Sequence, residues 1–544
     1  MRVVGSIKAR SGGWLFWAAV ASGVLFSIAA AQSGGTDPIA ATTGGQIRGT
    51  VLASGRAEFL GIPFAQPPVG ELRWHAPIPP KPWSGVRYAK KFGAPCAQND
   101  AGDWNRHDAE SSSEDCLYLN VMTPQWPVKK PLPVMFWIHG GANTGGTASS
   151  ALYKDGTLVE HGIVLVTANY RLGVFGFLAH PELTRESAHH SSGNYALLDQ
   201  IAALEWTRDN IAKFGGDPHN VTVFGQSAGA LDSGLLMTSP LPRSLFQKAI
   251  EESGTVLLAQ PLPLSTAEQG GINFAEHLGV PASDQIKYLR SVSTSDLLKT
   301  ALVSEQNPAQ GPNAAPDYHP WPTIDGWVFP RAPAAVFAKG QESAIPLITG
   351  NNTREFDIPN PPDPLRQWIT AVYGELAPKA FEVYGVTNGR GGNTDPLYGA
   401  AAGQWSADFM FRCPSTAVAA WRSAAHHPTY EYQFEHAIPG QEAQGAVHSA
   451  DLPYVFGFFP KSGNISGSFG ETDYKLADLI EKYWTNFART GNPNGSGLAT
   501  WHEYDGSKAY VSFSEDGHVV PNSRLRQKQC EIYRASANQH LKHQ

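Results

Sequence analysis

A β-branched run ending in Gly225-Gln226-Ser227-Ala228-Gly229 constrains this 544-residue chain more than any other stretch. Asn220-Val-Thr-Val-Phe224 has the composition of a strand, and G-x-S-x-G directly after it predicts a sharp turn into a helix. Such a turn lifts a serine Oγ out of a sheet, and the flanking glycines leave it room. Alone the pattern is weak. With 55 glycines in 544 residues and serine at its usual few per cent, chance places it roughly 0.3 times per chain of this size. Its meaning depends on whether a base, an acid and oxyanion donors stand where the turn needs them.

Strand-like and helical runs alternate around it. Residues 134–138 form a short apolar strand leading into His139-Gly140-Gly141, and residues 163–168 form another. Between 195 and 214, Leu197, Leu198, Ile201, Leu204, Ile211 and Phe214 recur at helical spacing, and Gly215-Gly216-Asp217-Pro218 ends that helix. Residues 345–349 and 429–434 supply later strands. The alternation predicts an α/β fold with a central, mostly parallel sheet covered by helices. Residues 261–320, rich in Pro, Ser, Ala and Gln with little periodicity, are expected to form a helical or loop insertion over one end of the sheet.

A serine hydroxyl is a poor nucleophile at neutral pH and needs a base, a group to hold that base, and donors aimed at the developing oxyanion. Among 18 histidines, His448 stands out, on a glycine-containing loop before the aromatic segment that ends at Phe456. His426, His427 and His436 lie in polar or strand-end contexts. Glu355 follows the 345–349 strand through Gly350-Asn-Asn-Thr-Arg354 and can hold the imidazole; Asp357, two residues on, competes for that role. The chain order Ser227, Glu355, His448 is that of a nucleophile-elbow hydrolase. Backbone N–H groups of Gly141, Ala142 and Ala228 are the candidate oxyanion donors. No nucleotide, haem or metal motif occurs and the histidines lack ligand spacing, so neither cofactor nor metal is expected.

The N-terminus is a separate object. Arg2, Lys8 and Arg10 precede an apolar stretch from 14 to 28 and then Ala29-Ala30-Ala31, the form of a secretory signal peptide over residues 1–31. An uncleaved anchor is the alternative. Residues 32–544 are then a single catalytic domain, exported to the periplasm or beyond, with no membrane span. Four cysteines suit that compartment, with Cys96–Cys116 closing a polar loop. A net charge of −7 without a basic block argues against nucleic acid as a partner. A small-molecule ester is the partner this chemistry calls for; the oligomeric state is left open.

Together these stretches resemble the type-B carboxylesterase family, the cholinesterase-like branch of the α/β-hydrolases. Gly61-Ile-Pro-Phe-Ala-Gln-Pro-Pro-Val-Gly-Glu-Leu-Arg73 is similar to its N-terminal signature and Glu114-Asp-Cys-Leu-Tyr-Leu-Asn120 to its second. Phe224 to Gly229, Asn352 to Glu355 and Gly445 to Phe456 resemble its nucleophile, acid and histidine motifs. The resemblance implies a triad of Ser227, Glu355 and His448, the Cys96–Cys116 pairing, and a Cys413–Cys530 bridge. Three departures stand out: Gln226 where the family has Glu, Ala142-Asn143 where it has a third glycine and a large residue, and Phe356 where it commonly has glycine. Asn143, Thr144 and Gln226 are therefore expected to line a larger, more polar acyl pocket, suited to an acyl group with carboxylates of its own. Leader and length resemble those of secreted bacterial esterases that release tricarballylate from fumonisin-type esters. A broad or aryl/feruloyl carboxylesterase is the alternative. A catalytically dead, cholinesterase-like binding protein would be expected to lack the serine or its partners.

Overall fold

Eleven strands pair into one sheet, the central ones buried on both faces and the edge strands half-buried or exposed. In chain order they are β1 (Thr50–Val51), β2 (Ala57–Pro63), β3 (Tyr118–Thr123), β4 (Leu132–Ile138), β5 (Val164–Ala168), β6 (Gly216–Gln226), β7 (Lys248–Glu252), β8 (Leu347–Asn352), β9 (Thr429–Phe434), β10 (Ala509–Phe513) and β11 (Val519–Ser523). Across the sheet the order is β11-β10-β9-β8-β7-β6-β4-β5-β3-β2-β1. The block from β10 to β5 is parallel, and antiparallel pairs border it on both sides. The computed structural model describes residues 37–541 apart from 259–260, 306–317, 319, 357–361 and 388–389. The expected leader and Asp357 lie outside the described residues. Residues 37–544 form one compact unit.

The strand carrying Ser227 is longer than its β-branched core. Gly215, at φ 83°, turns the chain out of a short 3-10 segment, and Gly216 already pairs with Leu132. The sequence places these residues in a helix end; pairing with β4 draws Gly216 to Pro218 into the strand instead. Similarly, the strand expected at 345–349 runs from Leu347 to Asn352, because all six residues pair in register with β9. That shift carries the strand to within three residues of Glu355.

Helices cover both faces. Helix α1 (Tyr195–Asn210) buries most of its circumference, and α2 (Ala228–Thr238), directly after the turn at Ser227, is buried at every position. The described part of the 261–320 insertion is helical: α3 (Leu264–His277), α4 (Gln285–Ser291) and α5 (Thr294–Glu305). Arg73 ties it to the body. Its guanidinium grips Glu114 through two bonds of 2.7 and 2.6 Å and donates to the carbonyls of Leu289 and Val292. Helix α6 (Cys413–Ala424) shares the face of α2, and α7 (Glu471–Thr490) covers the opposite one. Helix α7 presents Leu476, Ile480, Trp484 and Phe487 at helical spacing to the sheet. Disulfides join Cys96 to Cys116 and Cys413 to Cys530; the second staples the start of α6 to the terminal helix Gln527–Leu541.

Candidate active site

Ser227 sits at φ 57°, ψ −121°, a conformation that costs a non-glycine residue free energy and persists only when its surroundings impose it. They do so here through backbone bonds and close approaches. The Ser227 N–H donates to the Glu252 carbonyl on β7 at 2.8 Å, and its own carbonyl accepts from Ala230 and Leu231 as α2 begins. A Cβ on Gly229 would stand 2.0 Å from the Ile138 carbonyl oxygen, and one on Gly254 would stand 2.4 Å from the Ser227 carbonyl oxygen. Only glycines allow the strand, the turn and the helix to come this close. The serine itself remains half-buried at the surface of the elbow.

The loop after β4 lies against it. A Cβ on Gly140 would meet the Gln226 carbonyl oxygen at 2.7 Å and the Ser227 Cβ at 3.2 Å. Gly141, at φ 115°, folds the loop by accepting from the N–H groups of Thr144 and Gly145. Ala142 and Asn143 follow at φ 54° and 57°. Among the described residues, the N–H groups of Gly141, Ala142 and Ala228 make no hydrogen bond. His139, where the loop starts, is not a base: burial pushes its imidazole down to about 4, its Nδ1–H donates to Gly140 O, and its ring stacks on Tyr170.

Glu355 and His448 are held together by backbone as well as side chain. The His448 N–H donates to the Glu355 carbonyl at 2.7 Å, and the Arg354 N–H to Ala446 O at 2.9 Å. His448 Nδ1–H donates to Glu355 Oε2 at 2.6 Å, and Glu355 Oε1 accepts from the Asn352 N–H at 2.7 Å. Glu355 is buried and kinked at φ 28°. His426 and His427 lie elsewhere, at the end of α6, and His436 bonds to Asp473. The His448 ring packs beside the Phe356–Phe411 pair, with centroid distances of 4.3 and 5.0 Å. Its Nε2 faces Gln226 Nε2 at 3.0 Å, and no bond from Ser227 Oγ to the imidazole is present.

A matching carboxylesterase family profile spans residues 36–533. The chain is 38% identical to a fumonisin B1 esterase of Sphingopyxis macrogoltabida over 84% of this chain and 83% of that protein. It is 34% identical to carboxylesterase 1D of Rattus norvegicus over 91% and 92%. A thermophilic PNB esterase superposes with a TM-score of 0.79 at 33% identity, covering 92% of this chain and all of that one. The chain belongs to the carboxylesterase family. It is a carboxylic ester hydrolase of the α/β-hydrolase fold.

Two of the polar residues expected in the acyl pocket of this carboxylesterase are engaged elsewhere. Asn143 is fully buried, its Nδ2 donating at 3.0 Å to Asp232 on α2, whose other oxygen accepts from Gln200 on α1 at 2.6 Å. Its side chain therefore braces the loop from behind instead of facing substrate. Gln226 is directed at the imidazole. Thr144 is half-buried, and its hydroxyl leans on Gly141 O at 3.4 Å.

Sequence reasoning missed the residues that support the Glu355 segment. Asn352 Nδ2 bridges Val447 O and Asp451 Oδ1 at 2.8 and 3.2 Å. A single π-turn, Asp408–Arg412, aims Arg412 at the Asn352 and Thr353 carbonyls at 3.1 and 2.5 Å. Arg412 pairs with Asp408, which also accepts from Arg526 at 2.8 Å. Burial opposes ionisation of Asp408, but Arg526 and Arg412 still hold it below its ordinary value. Burial, followed by the Glu355 charge, raises Asp451; burial and then Asp451 raise Glu252 well above the usual carboxylate range. The only sequence signal for these supports was a run of polar residues inside strongly apolar surroundings.

Proposed function

We propose that Ser227, His448 and Glu355 act as a triad in an exported esterase that releases carboxylate-bearing acyl groups, with tricarballylate from fumonisin-type esters as its substrate class. The observation carrying this reading is the short His448 Nδ1–Glu355 contact, made by an imidazole whose other nitrogen lies beside the residue preceding a strained, accessible serine. Ser227 Oγ attacks the ester carbonyl while His448 Nε2 takes its proton, and Glu355 stabilises the resulting imidazolium. The N–H groups of Gly141, Ala142 and Ala228 receive the oxyanion, aided by the positive end of α2. His448 then protonates the departing alkoxide, and water repeats the sequence on the acyl-enzyme.

The acyl preference is supported by likeness to the Sphingopyxis esterase and by an amide at Gln226, which places no negative charge beside the nucleophile. Export is supported by the basic-apolar-Ala leader and by two disulfides; no helix among the described residues is long and apolar enough to cross a membrane. Release of tricarballylate from fumonisin B1 should be measured beside hydrolysis of p-nitrophenyl butyrate. Turnover of the aryl ester without tricarballylate release overturns the substrate and leaves a broad carboxylesterase. Ser227→Ala should lower kcat about 10⁴-fold or more, and unaltered turnover of both esters would refute the triad.

A further inference from the structure

We propose that Gln226 is a positioning residue that holds His448 in the proton-accepting tautomer, and that its amide, in place of a carboxylate, keeps the imidazole a usable base at lower pH. This rests on His448 being the base of the triad. The two ends of the ring agree. Glu355 Oε2 can only accept at Nδ1, so the proton sits there, and Nε2 presents its lone pair. At 3.0 Å from Nε2 stands the Gln226 amide nitrogen, which can only donate. The other orientation of the amide would turn Oε1 to Nε2 and demand a proton there, leaving Nδ1 bare against a carboxylate. Gln226 is buried, so its amide has little freedom to seek water.

The remaining polar groups around the ring make their hydrogen bonds elsewhere. Asp451, three residues on, is bonded by Asn352 and Tyr432; Glu252, beside Gln226 on the neighbouring strand, accepts from Trp484; Arg412 is spent on backbone carbonyls and Asp408. Phe356 and Phe411 are apolar neighbours of the ring and offer its nitrogens no hydrogen-bonding group. Nε2 is therefore left to Gln226 and, once substrate is bound, to the adjacent Ser227. The exchange swaps an amide N–H for a serine O–H and leaves the protonation of the ring unchanged. A carboxylate at 226 would reverse the preference. It would face Nε2 and favour a proton there, giving an imidazolium between two acids that cannot act as a base until the pH is raised.

The test is the pH profile of kcat/KM on p-nitrophenyl butyrate, with the titration of His448 followed by histidine-selective ¹⁵N NMR in a Ser227→Ala background. Gln226→Glu should move the acid midpoint upward by more than one pH unit in both readouts, and Gln226→Met by about half a unit. The NMR arm reads the ring even if a variant has no turnover. An acid midpoint unmoved or lowered by Gln226→Glu overturns the proposal. Failure of the triad itself would show differently, as turnover that survives Ser227→Ala.

Discussion

Asn143 offers a perturbation whose cost can be worked from two structural features. It stands at φ 57°, where a side chain other than Asn or Asp costs about 1 kcal/mol or more relative to glycine. It also supplies one of two donors to the buried Asp232 carboxyl. Losing a donor to a buried acceptor costs about 1–3 kcal/mol. Asn143→Gly removes the bond but relieves the backbone, so it should destabilise by about 1–3 kcal/mol; Asn143→Ala keeps the strain and should cost about 1 kcal/mol more. The cost should also depend on pH. Burial pushes Asp232 up to about 7, with Asn143 and Gln200 pulling the other way. The folded state thus binds more protons than the unfolded one between about 4 and 7, and stability falls as pH rises through that window. Without the Asn143 donor the window extends upward, so both variants should lose more at pH 8 than at pH 5. Urea denaturation at the two pH values measures this. An alanine variant as stable as the glycine variant would refute the strain at φ 57°, and equal losses at both pH values would refute the bracing role assigned to Asn143.

Two further outcomes follow from burial and chain closure. On the chain-entropy account, removing Cys413–Cys530, whose residues are 117 apart in sequence, should cost about 5 kcal/mol, against about 3 for Cys96–Cys116 with a separation of 20. Paired Cys→Ser variants compared by urea denaturation test that order. Burial raises Glu251 and Glu431 to about 8, so the folded state holds extra protons between about 4.5 and 8, and thermal stability should decline across that range. Glu251→Gln and Glu431→Gln should each flatten the decline, and a slope unchanged by either would show that these carboxyls are already ionised.

The parts of the site set by local sterics were legible in the sequence. Gly225 and Gly229 admit one local geometry around Ser227, and the strand at 429–434 occurs with the expected ends because its apolar pattern and its pairing coincide. Where pairing and pattern disagreed, pairing decided, as at Gly216 to Pro218 and at Asn352. Side-chain direction was not legible. Asn143 and Gln226 were both expected to face an acyl group, yet their partners lie 89 and 222 positions away and become neighbours only in the folded chain. Arg412 escaped notice for the same reason, its aim being set by one extra residue in a helical turn.

The backbone bonds between the Glu355 and His448 loops have a consequence for variation at this site. Glu355 and His448 are joined main chain to main chain, so neither side chain is needed to keep the two segments in register. Substitutions at 355 or 448 can change the chemistry while the frame persists, and exchange-protected amides at Arg354 and His448 would report that frame in an inactive protein. Gln226, in contact with His448 at 3.0 Å, links that joined pair to the serine elbow by side chain, where a substitution reaches both without disturbing the main-chain frame.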